Sequence, residues 1–177
     1  MATIDWLSPD KMTRHWLWAL PLAVTIIGLD QLSKHLILGE PAFNALACLA
    51  DNACGRIELS PVFDLSMTWN RGVSFGALQA EGAARWVLFA LTSAIAIGFT
   101  VWLLRAERWL TALSLALVIG GAVGNLVDRA RFGAVVDFLD FSGMFFPWIF
   151  NVADASISVG AAILLLDQVL AGRKAPG

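Results

Sequence analysis

Four long apolar segments dominate the hydrophobic pattern of the chain. A helix needs about 20 largely apolar residues to cross a hydrocarbon core about 30 Å thick, so each segment is long enough to span a membrane. The pattern predicts a single membrane-embedded domain over residues 1–177, with spans at about 16–38, 86–104, 109–127 and 150–170 and connections at about 39–85 and 128–149. The first span is charged in its second half, which favours an uncleaved anchor over a signal sequence.

The first long connection carries a strand pattern. From Val62 to Trp69, apolar and polar residues alternate, which is typical of a half-exposed β-strand. Ile57-Glu58-Leu59 could pair with this strand, so we expect a small sheet on the outer membrane surface. In the second connection, residues 143–149 are apolar but too short to cross, and we expect them to rest in the interface.

Composition supports an integral membrane protein. The chain is 58% hydrophobic and 15% charged, whereas a soluble domain averages roughly 45–50% and about 25%. Such an apolar chain cannot be disordered. Its net charge of −2, without a basic cluster, argues against nucleic-acid binding. The predicted fold class is therefore an all-α membrane protein of four transmembrane helices with a small extracytoplasmic β-sheet, in contact with membrane lipid.

Basic residues predict the orientation. Lysine and arginine concentrate in cytoplasmic segments near span ends. They are dense in the two tails and in the short second connection, at Lys11, Arg14, Arg105, Arg108, Arg173 and Lys174. Both termini are therefore expected in the cytoplasm and both long connections outside.

Cys48 and Cys54 lie in the first outer connection. An oxidising compartment would permit a disulfide between them, and two free thiols fit the sequence equally well. A metal site is not expected, because the connection has no histidine beyond His35 at the end of the first span.

Polar residues inside or beside the spans gather at one depth. A charge in a span costs at least about 2.5–3.5 kcal/mol, so it usually has a function. Under the predicted topology, nine such groups fall near the outer boundary: Asp30, Lys34, Asn70, Asn125, Asp128, Arg129, Asp137, Asn151 and Asp154. Asp30 and Lys34 share a helix face, either as an ion pair or as a snorkelling pair. Asp167 lies near the cytoplasmic end and is interpreted as interfacial.

A polar site with several carboxylates favours acid–base chemistry. Two carboxylates in a low-dielectric pocket cannot both ionise easily, so one can activate water while the other donates a proton to an amide carbonyl. Serine, cysteine and zinc routes lack a suitably placed histidine, and no cofactor is implied. A proton-coupled carrier or a structural scaffold remain as alternatives, although the chain shows no internal repeat.

Taken in order, five segments resemble signal peptidase II, the lipoprotein signal peptidase family of bacteria. They are Asp30-Gln31-Leu32-Ser33-Lys34, Asn70-Arg71-Gly72-Val73-Ser74-Phe75, Gly120 to Arg129, Val136-Asp137-Phe138 and Phe150-Asn151-Val152-Ala153-Asp154. The resemblance covers roughly Leu17 to Leu170. Residues 41–56 make a longer first connection than is usual in the family.

The resemblance implies an aspartic endopeptidase of the bacterial inner membrane, with its site near the outer leaflet. Nothing in the sequence requires more than a monomer. Its substrates would be prolipoproteins with a diacylglyceryl group on the cysteine after the scissile bond. Asp137 and Asp154 match the catalytic pair, and Asp30 and Lys34 match supporting positions. The positions that match the substrate-binding pocket are Asn70, Gly72, Asn125, Asp128, Arg129 and Asn151. The outer sheet would correspond to the family's cradle on the membrane.

Overall fold

The computed structural model describes residues 13–43, 47–49, 53–73, 78–79 and 83–172. Within these ranges it contains four long helices: α1 Trp16–Leu38, α2 Ala83–Leu103, α3 Trp109–Phe132 and α4 Val152–Gly172. All four are long and apolar enough to cross a membrane. The predicted spans are confirmed, and α3 extends five residues beyond the expected end at Val127.

Helix α3 is the centre of the bundle. Most of its span is buried, whereas α1, α2 and α4 expose most of theirs. Glycines let two neighbouring helices approach closely, as in other small-residue membrane interfaces. A Cβ at Gly120 would lie 2.8 Å from Ile26 Cβ, and one at Gly121 would lie 2.4 Å from the carbonyl oxygen of Ala153. These two glycines therefore fix how near α1 and α4 come to α3.

The outer faces of the bundle are strongly apolar. Val24, Val87, Ile97 and Leu165 are each about two-thirds exposed. In water, such extended apolar surface would be unfavourable and prone to association. A hydrocarbon surrounding accounts for these faces.

A four-stranded antiparallel sheet caps the end of the bundle where α1 and α3 stop. Its strands are β1 Ala53–Glu58, β2 Asp64–Asn70, β5 Val135–Asp140 and β6 Ile149–Phe150, in the order β1-β2-β5-β6. A separate pair is formed by β3 Gly72–Val73 and β4 Leu78–Gln79. The predicted strand near 62–69 and its partner are confirmed. Strand β5 was not predicted, because both its faces are buried and its sequence does not alternate.

An apolar core fills the space under the sheet. Trp69, Met67 and Phe138 are almost fully buried in it. Cys48 and Cys54 join the same core through a disulfide, with their Cα atoms 5.3 Å apart. The disulfide thus connects the additional segment of the first connection to strand β1 and the core.

Two further expectations concern Asp167 in α4 and residues 143–149 in the second connection. Asp167 is completely buried within the protein, where it forms an ion pair with Arg108 and accepts a hydrogen bond from Thr111. These partners from α3 and the turn before it were not predicted, and the position of Asp167 at the membrane interface stays a prediction. Residues 143–149 form a 3-10 turn and β6, with Phe145 almost fully exposed, and their contact with the interface stays a prediction.

Several predicted features lie outside the described residues. These are the tail cations Lys11, Arg173 and Lys174, and the motif residues Ser74 and Phe75.

Replacing both cysteines, in Cys48→Ala/Cys54→Ala, is expected to lower the free energy of unfolding by about 2 kcal/mol, the amount for so short a loop. Thermal melting in detergent measures this loss. Reduction should destabilise the wild type similarly and leave the double variant unchanged. Free thiols at both positions, found by intact mass after alkylation without reductant, would contradict the disulfide.

Candidate active site

A buried ammonium group organises the end of the bundle next to the sheet. Lys34 Nζ lies 2.8 Å from Asp30 Oδ2, 2.8 Å from Asp128 Oδ2 and 3.0 Å from Asn125 Oδ1. Lys34, Asp30 and Asp128 are each at most 2% exposed. The predicted ion pair is therefore present, and the snorkelling alternative is wrong. We call these three residues the buried triad.

The two carboxylates of the buried triad also hold the backbone of other elements. Asp30 Oδ1 accepts from the Ala153 N–H of α4 at 2.9 Å. Asp128 Oδ2 accepts from the Val136 N–H of β5 at 3.1 Å. Ala153 and Val136 directly precede Asp154 and Asp137 in the sequence. The triad therefore fixes the backbone immediately before each of the two aspartates.

Gln31 completes this arrangement, although the sequence analysis gave it no role. Its Nε2 donates to Asp128 Oδ1 at 2.9 Å and to the Gly124 carbonyl oxygen at 3.1 Å. Gln31 follows Asp30 and so lies beside the same part of α3. Its position within the first matching motif was the only sequence signal that could have indicated it.

Asn125 bridges Lys34 and Asp154 through hydrogen bonds. An ammonium group can only donate, so the amide oxygen of Asn125 must face Lys34. The amide nitrogen of Asn125 is thereby turned toward Asp154 and donates to Oδ1 at 2.8 Å. The orientation of this side chain follows from Lys34.

Two further asparagines are oriented in the same manner around Asp137. The Oδ1 atoms of Asn151 and Asn70 accept from backbone N–H groups of Asp154 at 2.8 Å and Gly72 at 3.1 Å, respectively. Their amide nitrogens then donate to Asp137, from Asn151 at 2.7 Å and from Asn70 at 3.0 Å. Both aspartates therefore receive hydrogen bonds from amides whose opposite ends are held by obligate donors.

The surroundings of Asp137 favour its protonated form. Burial, and next the negative charge of Asp154, raise the pKa of Asp137 to about 7. The hydrogen bonds from Asn70 and Asn151 and the charge of Lys34 act in the opposite direction and limit the rise. A carboxyl group with such a pKa can hold or release a proton near neutral pH.

Asp137 and Asp154 both line one groove of about 590 Å³ between the helices and the sheet. Of the other predicted site residues, the groove is lined by Asn70, Gly72, Asn125 and Arg129. Its apolar wall includes Phe146, Trp148 and Ile157, which the sequence analysis did not select. Aromatic residues from the predicted interfacial segment therefore line the same groove as the two carboxylates.

The remaining predicted residues lie behind the groove. Asn151 is completely buried and Asp128 is 1% exposed. Neither lines the groove: Asn151 donates to Asp137 and accepts from the Asp154 N–H, and Asp128 accepts from the Val136 N–H. Contact of Asn151 and Asp128 with a substrate stays a prediction, as does the supporting role of Asp30 and Lys34. Among the described residues, no cluster of three or more histidine, cysteine or acidic side chains could hold a metal ion.

The fold and the groove together define a multi-pass membrane protein built around a pair of carboxylates. A family model described as signal peptidase (SPase) II matches residues 22–170. The chain belongs to the signal peptidase II family, and it is therefore a multi-pass bacterial membrane protein of a peptidase family.

Relatives and solved structures agree with this assignment. A lipoprotein signal peptidase of Caulobacter vibrioides is 42% identical over 161 residues, covering 90% of this chain and 91% of the relative. One from Brevibacillus brevis is 44% identical over 165 residues, covering 89% and 99%. A bacterial membrane enzyme solved by the in meso method at 2.3 Å shares the fold with a TM-score of 0.73, at 23% identity over 90% of this chain and 92% of that one.

Asp30→Ala is expected to destabilise the protein by about 3–5 kcal/mol, because it leaves part of a buried ionic network uncompensated. It also removes the acceptor of the Ala153 N–H. Melting in detergent measures the loss of stability. Turnover per folded molecule should change little, because Asp30 does not line the groove. Leu32→Ala on the exposed face of the same helix is the control; equal melting losses in the two variants would contradict the triad's role.

Proposed function

We propose that the protein is an aspartic endopeptidase that removes signal peptides from prolipoproteins. Its substrates would carry a diacylglyceryl group on the cysteine after the scissile bond. One observation carries the proposal: Asp137 and Asp154 line the same groove, in a chain of the signal peptidase II family. No covalent intermediate is needed, because the pair can activate water directly.

The two aspartates take different roles because their surroundings differ. Asp154 lies in the first turn of α4, where the helix dipole favours a negative charge. It accepts a proton from water, and the resulting hydroxide attacks the peptide carbonyl carbon. Asp137, whose pKa is raised, donates its proton to the carbonyl oxygen. When the C–N bond breaks, the proton held by Asp154 passes to the leaving amine, and Asp137 takes back a hydroxyl proton of the tetrahedral intermediate as the carboxyl product forms.

The groove offers complementary contacts for a lipidated peptide. Asn70 and Arg129 line it with polar groups suited to a peptide backbone, and Phe146 and Trp148 provide apolar surface. A substrate anchored by its acyl chains would present the bond at the end of the bundle. The sheet would cradle it at the outer leaflet, with both termini in the cytoplasm. One chain supplies every group, so a monomer suffices.

Asp137→Asn and Asp154→Asn should each lower kcat/KM by about 10²–10⁴-fold, the contribution of general acid–base catalysis. The assay follows cleavage of a diacylglyceryl-modified prolipoprotein by purified protein in detergent, with an unlipidated substrate alongside. Asp140→Asn is the control, since Asp140 lies in the same strand but bonds to Ser66 and the Ser142 N–H.

The control should retain turnover per folded molecule. Full turnover in either dyad variant would remove that residue from the mechanism. Equal cleavage of the unlipidated substrate would contradict the lipid requirement. If folded wild type cleaves neither substrate, the alternative of a proton-coupled carrier would be favoured.

The rate should fall as pH rises through about 7, because Asp137 then loses the proton that it must donate. Asn70→Ala removes a hydrogen bond that lowers this pKa, so the alkaline limb of kcat should move to higher pH. The pH profiles of kcat for wild type and Asn70→Ala test this. A shift to lower pH, or none, would show that another group controls the limb.

A further inference from the structure

Three arginines line one small pocket beside the groove, and two of them, Arg71 and Arg85, have no part in the proposed hydrolysis. Arg71 follows β2, Arg85 lies in the first turn of α2, and Arg129 lies in the last turns of α3. All three line a small pocket together with Trp86 and Gly133. We call this feature the arginine pocket. Arg129 also lines the groove, so the two features are adjacent.

None of the ion pairs within the described ranges engages Arg71, Arg85 or Arg129, although the carboxylates of Asp154, Asp137 and Asp128 act electrostatically on Arg129. Those ion pairs use Lys34, Arg56 and Arg108 as their cations. Arg85 is in addition unfavourably sited, because the beginning of a helix carries a partial positive charge. Like charges that converge at a helix beginning are stabilised by an anion.

The guanidinium groups that line the arginine pocket are suited to bind a phosphate group at its mouth. Planar guanidinium groups bind phosphate oxygens through paired hydrogen bonds. Gly133 leaves room for one of them, because a Cβ there would lie 3.4 Å from Arg85 Nη1. The guanidinium carbon of Arg85 lies 5.0 Å from the centre of the Trp86 ring, which holds the side chain at the pocket.

The surroundings indicate that the phosphate is carried by a lipid. Trp86 is 55% exposed at the beginning of an apolar helix, as tryptophans are at membrane interfaces. Val87 and Leu91 continue an exposed apolar surface along α2, which could receive acyl chains. A soluble phosphate would gain nothing from this surface.

We propose that the arginine pocket binds the phosphate group of an anionic phospholipid. The lipid would be a resident of the membrane and not the substrate, since a diacylglyceryl thioether carries no phosphate. The proposal concerns binding alone and does not rest on the proposed hydrolysis.

The test compares two arginines that line the arginine pocket with a nearby arginine that does not. Arg85→Gln and Arg71→Gln remove cations of the arginine pocket. Arg131→Gln is the matched control, because Arg131 is exposed near the end of α3 and stacks on Phe132 at 4.9 Å without lining the pocket. Melting in detergent checks that all three variants are folded.

Native mass spectrometry of the delipidated full chain, titrated with phosphatidylglycerol, gives the dissociation constants. Arg85→Gln and Arg71→Gln should each weaken binding about fivefold, the contribution of one cation near an anionic lipid. Arg131→Gln should leave binding unchanged, and phosphatidylcholine should bind the wild type more weakly. Equal losses in Arg131→Gln and Arg85→Gln, or no preference between the two lipids, would overturn the proposal.

A competition with glycerol phosphate distinguishes the source of the phosphate. Millimolar glycerol phosphate should leave bound phosphatidylglycerol in place if the apolar surface of α2 contributes. Displacement of the lipid at equal concentrations of the two compounds would overturn a lipid as the ligand.

Discussion

The rest of the site depends on the single ammonium group of Lys34, buried between two carboxylates. It joins α1 to α3 through Asp30 and Asp128. The same carboxylates bind the N–H groups of Ala153 and Val136, so the constraint extends to α4 and β5. Four separate elements are thereby held at one point, and the two aspartates of the groove each follow a residue that this point fixes.

Such a buried ionic network contributes little net stability. Burying charges costs several kcal/mol each, and apolar replacements of similar volume are often as stable. Apolar side chains could not determine the orientation of the neighbouring amide groups. Because Lys34 can only donate, Asn125 must present its amide nitrogen to Asp154. Backbone N–H groups orient Asn151 and Asn70 toward Asp137 by the same rule. The charge therefore sets the hydrogen bonding of the groove as well as its position.

The sequence predicted those parts of the structure that depend on local patterns. The spans could be predicted because an apolar run must match the membrane thickness. Strand β2 could be predicted because its apolar and polar residues alternate. Strand β5 could not be recognised, since it is covered on both faces and its apolar and polar residues do not alternate. The burial of Asp167 was not predicted for a related reason: its partners, Arg108 and Thr111, are distant in sequence. Charges acquire their surroundings from tertiary contacts, which no local pattern encodes.

The nine polar positions illustrate the same limit within the site. Their common depth was predictable, because all fall near the same end of the spans. Their division into groove and support was not, since it depends on how far each side chain is covered. Asp128 and Asp137 are both buried, yet only Asp137 lines the groove. Asp128 is bonded to Lys34, Gln31 and the Val136 N–H. Asp137 and Asp154 instead accept hydrogen bonds from asparagine amides and line the groove, so the distinction rests on tertiary contacts that the sequence does not display.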